Sequence, residues 1–320
     1  MAQSTTVVLA DHNIVGELCG ANDRNIAHLE RLLQARVTTR GNEIHLTDSD
    51  PEKQRIFSEV LRRLEQHVYA GISIGVDLIQ SVYRTVTEND TQGADMLLEQ
   101  RIELPGLGPT ITPRSHAQAC YIQSLQTKEM VFCIGPAGTG KTYLAVAAAL
   151  QDILTRRKRK LVLTRPVVEA GENLGFLPGD LAQKINPYLR PLYDAIEDLS
   201  SGELLHKLES NNMIEIAPLA YMRGRSLKDC VILLDEAQNT SKEQMKMFLT
   251  RIGEGSRAFI TGDVTQIDLP RKSNSGLLHA VRLLNSIEEL DINFLSGKDV
   301  VRSAIVQKIV AAYEADTEHQ

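Results

Sequence analysis

From about residue 110 onward, short and continuously apolar runs alternate with stretches of helical periodicity. The runs fall near residues 131–134, 161–164, 213–217, 230–234, 257–261 and 289–294. Strands apolar on both faces and separated by helices predict a mainly parallel, doubly wound sheet, the signature of an α/β domain. Residues from about 5 to 70 carry a different pattern, that of a small α+β module. Residues 6–9 read as a strand and Gly20-Ala21-Asn22-Asp23 as a turn, and Ile26, Leu29, Leu32 and Leu33 share one face of a following helix. Residues 36–40 and 43–46 read as a hairpin around Gly41-Asn42. Asp50-Pro51-Glu52 opens a helix that turns Ile56, Val60, Leu61 and Leu64 inward. A further helix near residues 76–86 leads through 88–93 to Pro105-Gly106-Leu107-Gly108-Pro109, the expected linker. The predicted organisation is a module over 1–70, helix and linker over 71–110, and the α/β domain over 111–320.

Composition narrows the partners and the compartment. A formal charge of −6 supplies no global positive field, so any nucleic-acid surface must be a local patch. Cys19, Cys120, Cys133 and Cys230 form no C-x-x-C pair and read as reduced core residues of a cytoplasmic protein. The N-terminus lacks a basic-then-apolar leader, and no apolar run is long enough for a bilayer, so no membrane association is expected.

The candidate chemistry is concentrated in Gly135-Pro136-Ala137-Gly138-Thr139-Gly140-Lys141-Thr142. An apolar run precedes it and strong helix formers, residues 143–150, follow it. Strand, glycine loop and helix make a phosphate-binding loop, with backbone N–H groups around the phosphates. Lys141 then serves the β/γ-phosphates, Thr142 offers a hydroxyl to Mg²⁺, and the helix N-terminus adds its dipole.

The apolar run 231–234 ends in Asp235-Glu236. A strand that delivers an acid to the sheet edge holding the loop supplies a second Mg²⁺ contact, assigned to Asp235 through a bridging water. Glu236 is the candidate base for the attacking water. A second apolar run, 258–260, leads into Thr261-Gly262-Asp263-Val264-Thr265-Gln266. The Gln266 amide is placed to meet the γ-phosphate or the water, or reads as a polar turn residue. Asp235-Glu236-Ala237-Gln238 with Gly262-Asp263-Val264-Thr265-Gln266 resembles the second and third motifs of superfamily 1 helicases. By that resemblance Gln118, upstream of the loop, reads adenine and the nucleotide is ATP; read alone, Gln118 serves equally as a helix glutamine.

Longer blocks, at residues 135–142, 163–172, 174–180, 187–194, 221–225, 235–240 and 299–302, resemble the PhoH family. The resemblance spans about 111 to 313. It implies a RecA-like P-loop ATPase core like the first half of a helicase, often assembled as a homo-oligomeric ring. It also implies work in RNA metabolism alongside a small rRNA-maturing endoribonuclease. In that setting Arg302 is a candidate finger reaching a neighbouring subunit's γ-phosphate; its alternative is a surface arginine paired with Asp299 or Glu314.

The N-terminal module resembles a KH domain, with Gly20–Ile26 in the place of the backbone-clamping GXXG loop. Asp23 stands where the second glycine belongs, and its carboxylate opposes a phosphate, so docking is the alternative role. The basic run Arg156-Arg157-Lys158-Arg159-Lys160 reads as an RNA-tracking patch or as a solvated helix end. Arg165, Lys184, Arg190, Arg223 and Arg225, inside or beside the family blocks, are the expected working surface.

Overall fold

The computed structural model describes residues 4–106, 110–167, 181–200, 202–271 and 274–300. Two compact units emerge: Met1–Arg101 with Thr110–Cys120, and Ile102–Pro109 with the chain from Tyr121 onward. Among the described residues no helix is long and apolar enough to cross a membrane.

The first unit opens with β1 (Ser4–Val8), α1 (His12–Cys19) and α2 (Arg24–Leu33). The hairpin β2 (Arg36–Arg40) and β3 (Glu43–Thr47) follows, then α3 (Pro51–Tyr69), α4 (Val76–Thr87) and α5 (Thr91–Glu99). The sheet is antiparallel in the order β1-β3-β2, with Ser4 and Arg36 both opposite Thr47. Gly41, at φ 64°, closes the predicted two-residue turn. Asp50 caps α3 by accepting the Glu52 N–H at 2.9 Å, and Pro51 occupies the first helical position. Of the residues expected to face inward, Ile26, Leu29, Leu33, Ile56, Val60, Leu61 and Leu64 are in the core and Leu32 is partly buried against it; Ile44, Leu46 and Phe57 join them.

Two helices of this unit were not predicted. Both carry an internal glycine, Gly16 in α1 and Gly93 in α5, where glycine suggests a break. At Gly93 the reason is local. Asp90 caps α5 by accepting the Gly93 N–H at 2.9 Å, and a Cβ there would strike that same carboxylate. The glycine admits the cap rather than ending the helix.

In the second unit the strands are β4 (Met130–Ile134), β5 (Lys160–Arg165), β6 (Ile214–Pro218), β7 (Cys230–Leu234), β8 (Arg257–Gly262) and β9 (Leu290–Phe294). All six predicted strands are present, in the order β6-β5-β7-β8-β4-β9, and every neighbouring pair is parallel. The connecting helices are α7 (Lys141–Leu154), α8 (Leu181–Glu197), α9 (Gly202–Ser210), α10 (Lys242–Leu249) and α11 (Gly276–Leu284). Helix α6 (His116–Thr127) begins in the first unit and runs into the second. Phe132, Ile134, Ile232, Leu234 and Ile260 pack against Met245 and Phe248 of α10 and Leu277 of α11. The alternate residues Val131, Cys133, Leu163, Val231 and Phe259 are just as buried, and α7 packs on β5, β7 and β8. Both faces of the sheet are therefore covered, which is why its strands read as apolar throughout.

The basic run closes the turn from α7 into β5, at the amino edge of the sheet. Arg157 and Lys158 donate backbone N–H groups to the Asp152 carbonyl at 2.8 and 3.1 Å, and the Lys158 ammonium donates to the Gly255 carbonyl at 2.6 Å. The run thus ends a helix on the sheet edge opposite the glycine loop.

On β6, at one margin of the sheet, Glu215 receives a bidentate guanidinium from Arg225 (2.6 and 2.9 Å) and the Lys160 ammonium (2.6 Å). Arg225 first, and Lys160 after it, hold this carboxyl down at about 2. A depressed carboxyl stabilises the fold fully above its ordinary value near 4.5, and the contribution fades as pH falls toward 2. The group is partly solvated, so about 1 kcal/mol is the appropriate scale. Glu215→Gln should lower stability by about that amount near neutral pH. Denaturant titrations from pH 7 downward should show wild type and variant converging below about 4.5.

Candidate active site

The site forms where the carboxyl ends of β4, β7 and β8 meet. After Ile134 the chain must turn sharply into α7, and glycine makes the turn possible. Gly138 and Gly140 both sit at φ 82°, a left-handed conformation costly for other residues. Gly135 is required by space: a Cβ there would lie 2.5 Å from the Leu295 carbonyl oxygen. Within the loop Thr139 Oγ1 donates to the Pro136 carbonyl at 2.9 Å, and Lys141 Nζ donates to the same oxygen at 2.7 Å. Lys141 is buried, and burial pushes its pKa below the ordinary lysine value despite the opposing pull of Cys133, Asp263, Asp235 and Glu236.

Asp235 leaves β7 beside the loop. Its Oδ1 accepts hydrogen bonds from Thr142 Oγ1 and from Thr261 Oγ1, each at 2.7 Å. Glu236 follows at φ 53°, a left-handed conformation that strains a non-glycine residue by ~1 kcal/mol or more. Its Oε1 receives Arg165 Nη2 at 2.6 Å, and its Oε2 receives the Gln238 side-chain amide. The Gln238 amide oxygen in turn accepts the Asp263 N–H at 2.9 Å, joining the turn after β7 to the turn after β8. Gln266 Nε2 donates to Asp263 Oδ2 at 2.7 Å. Gly262 cannot carry a side chain, since a Cβ would approach Leu277 to 2.5 Å and the Gln238 oxygen to 3.0 Å.

These groups enclose a cleft of about 290 Å³. Ala137, Gly138, Gly140, Lys141 and Thr142 line one side, Asp235, Glu236, Gly262, Asp263 and Gln266 the other, with Tyr143 at the mouth of α7. The expected residues Lys141, Thr142, Asp235, Glu236 and Gln266 are thus gathered in one place. Gln118 lies in the first turn of α6, buried, its amide oxygen accepting the Arg114 N–H at 2.7 Å. It belongs to the first unit. Arg302 lies outside the described residues, as do the blocks at 168–172 and 174–180. The Asp299 carboxylate, a suggested partner for Arg302, accepts from the Ser296 N–H at 2.7 Å and the Ser296 hydroxyl at 2.9 Å.

Sequence reading missed Thr261, Asp263, Gln238 and Tyr143 as members of the site, and counted Arg165 in the expected working surface. Arg165 instead turns inward, with a side chain only 19% exposed and 3.8 Å from Asp235 Oδ2 as well. The register of the sheet explains it. Thr164 pairs with Leu234, so the next residues on the two strands, Arg165 and Asp235, emerge side by side. Of the other expected surface cations, Arg190 is paired with Asp194 and Glu197, and Arg225 with Glu215. Arg223 is exposed, and the Lys184 side chain lies outside the described residues.

A parallel α/β sheet with a glycine loop and an acid-bearing strand at one carboxyl edge defines a P-loop domain of RecA-like architecture. Consistent with that class, a family model described as PhoH-like protein matches residues 110–314, and the chain belongs to the PhoH family. A PhoH-like protein of Mycobacterium tuberculosis (strain ATCC 25618 / H37Rv) is 46% identical over 313 residues, covering 98% of this chain and 88% of the relative. One of Bacillus subtilis (strain 168) is 43% identical over 297 residues, 93% of each chain. Protein PhoH of Escherichia coli (strain K12) is 42% identical over 205 residues, 63% of this chain and 58% of the relative.

Proposed function

We propose that the cleft binds ATP with Mg²⁺ and hydrolyses it, and that the protein uses this turnover on RNA or ribonucleoprotein substrates in the cytoplasm. The single observation that carries the reading is the convergence of Lys141, Thr142, Asp235 and Glu236 on one cleft. The residues fit the ligands they would hold. Among the described residues the buried Lys141 ammonium has a carbonyl as its hydrogen-bond partner and gains from a polyphosphate, and the loop glycines leave room for backbone N–H donors. The Thr142 hydroxyl and the Asp235 carboxylate, 2.7 Å apart, are hard oxygen donors of the kind that Mg²⁺ shares with phosphates and water. Bound there, Mg²⁺ would offset the negative charge on the β- and γ-phosphoryl oxygens.

The chain's own residues supply the rest. Lys141 exchanges its hold on the Pro136 carbonyl for the phosphates. Glu236 takes the proton of the attacking water, and Gln266, tethered to Asp263, orients an amide toward the γ-phosphate side of the cleft. Arg302, from a neighbouring subunit of a homo-oligomeric ring, is proposed to complete the charge at the γ-phosphate, and Gln118 to read the adenine.

The RNA arm rests on the family and on the exposed Arg223 near β6. Steady-state phosphate release with and without single-stranded RNA tests it. A rise of tenfold or more on adding RNA is the expected outcome. A flat response to RNA, with stimulation by a small endoribonuclease partner instead, would favour an ATP-dependent scaffold that recruits the nuclease without unwinding.

A further inference from the structure

We propose that Arg165 is the positioning residue for Glu236, holding the base in the geometry that water activation requires. The inference rests on the hydrolytic reading above and adds a residue to it. A carboxylate offers about four acceptor sites on its two oxygens. Among the described residues each Glu236 oxygen has one protein donor: Arg165 Nη2 on Oε1 at 2.6 Å, and the Gln238 amide on Oε2. The remaining lone pairs are left for water, and with donors on both oxygens the carboxylate plane is set rather than free to spin.

The two donors are themselves anchored, which separates a built device from a chance ion pair. Gln238 is tied to the Asp263 N–H at 2.9 Å and to the Gln266 carbonyl at 3.2 Å. Arg165 donates from Nη1 to the Tyr188 carbonyl of α8 at 3.2 Å, and its Nε faces Asp235 Oδ2 at 3.8 Å. The guanidinium therefore spans both carboxylates of the acid pair and a fixed main-chain oxygen. Only a planar fork with several donors can do this; an ammonium is a single point of charge. A base, oriented by a third group that is itself held, is the arrangement on which activation of a nucleophile depends.

The test compares wild type, Arg165→Ala and Arg165→Lys, measuring kcat, KM for ATP, the dissociation constant of a fluorescent ATP analogue, and recovery by added guanidinium ion. Loss of orientation should lower kcat by ~10²-fold in both variants, with analogue affinity within about threefold of wild type. Low guanidinium concentrations should restore part of the Arg165→Ala rate in a saturable way and leave Glu236→Gln unchanged. Arg165→Lys keeps the charge and the aliphatic stem, so it reports on the fork if the alanine variant fails to fold. Either variant turning over within twofold of wild type would overturn the proposal. So would equal losses of kcat and nucleotide affinity, or the absence of guanidinium recovery in folded Arg165→Ala. A wild-type protein that turns over no ATP would instead remove the hydrolytic reading on which the proposal stands.

Discussion

Glu236→Gln is expected to lower ATP turnover by about 10²–10⁴-fold while nucleotide affinity stays within a few-fold of wild type. The substitution keeps the shape and one acceptor oxygen, enough for Arg165 or the Gln238 amide but not for both on separate oxygens. What it removes is the capacity to take a proton. Binding rests on other groups, chiefly the loop and Lys141, so affinity and turnover should separate. Phosphate release in the steady state, set beside equilibrium binding of a fluorescent nucleotide, distinguishes the two quantities. A variant with undiminished turnover would take Glu236 out of the base role. One that lost affinity and rate together would make it a binding residue.

Lys141→Ala should act on the other quantity, weakening ATP by about 10²–10³-fold. Charge-assisted hydrogen bonds are worth about 1.5–3 kcal/mol each, and two to a polyphosphate give the 3–4 kcal/mol that such a loss represents. Burial lowers the lysine's pKa, so the ligand-free fold carries a penalty at every pH below that folded value and sheds it as pH rises. A bound polyphosphate reverses the shift, which concentrates the lysine's value in the complex. Equilibrium titration of the variant measures the loss directly, and an affinity within threefold of wild type would contradict the assignment.

Much of the architecture was legible because its causes are local in sequence. Six apolar runs became six parallel strands because both faces of the sheet are buried, which removes the polar alternation. The phosphate loop was legible for a related reason: eight consecutive residues carry it, and in the structure Gly138 and Gly140 both take a positive φ. What escaped was set by contacts between strands distant in sequence. Arg165 lies 71 residues from Glu236, and only the β5–β7 register brings them together. Once neighbouring parallel strands are assigned, the residues at their carboxyl ends can be read as a row, and that row puts Arg165 beside the acid pair. Gln238 was quoted within a motif, but its link to Asp263 exists only after β7 and β8 are adjacent. The helices α1 and α5 went unread; each carries an internal glycine, which weakens a helical pattern, and Gly93 makes room for its own cap.

The most direct measurement is phosphate release from ATP by the folded wild-type chain, with magnesium and then with excess chelator. Turnover that needs the metal, and that Glu236→Gln removes, is the predicted result. A folded protein that released no phosphate from ATP, alone, with RNA or with a partner nuclease, would contradict hydrolysis at this cleft.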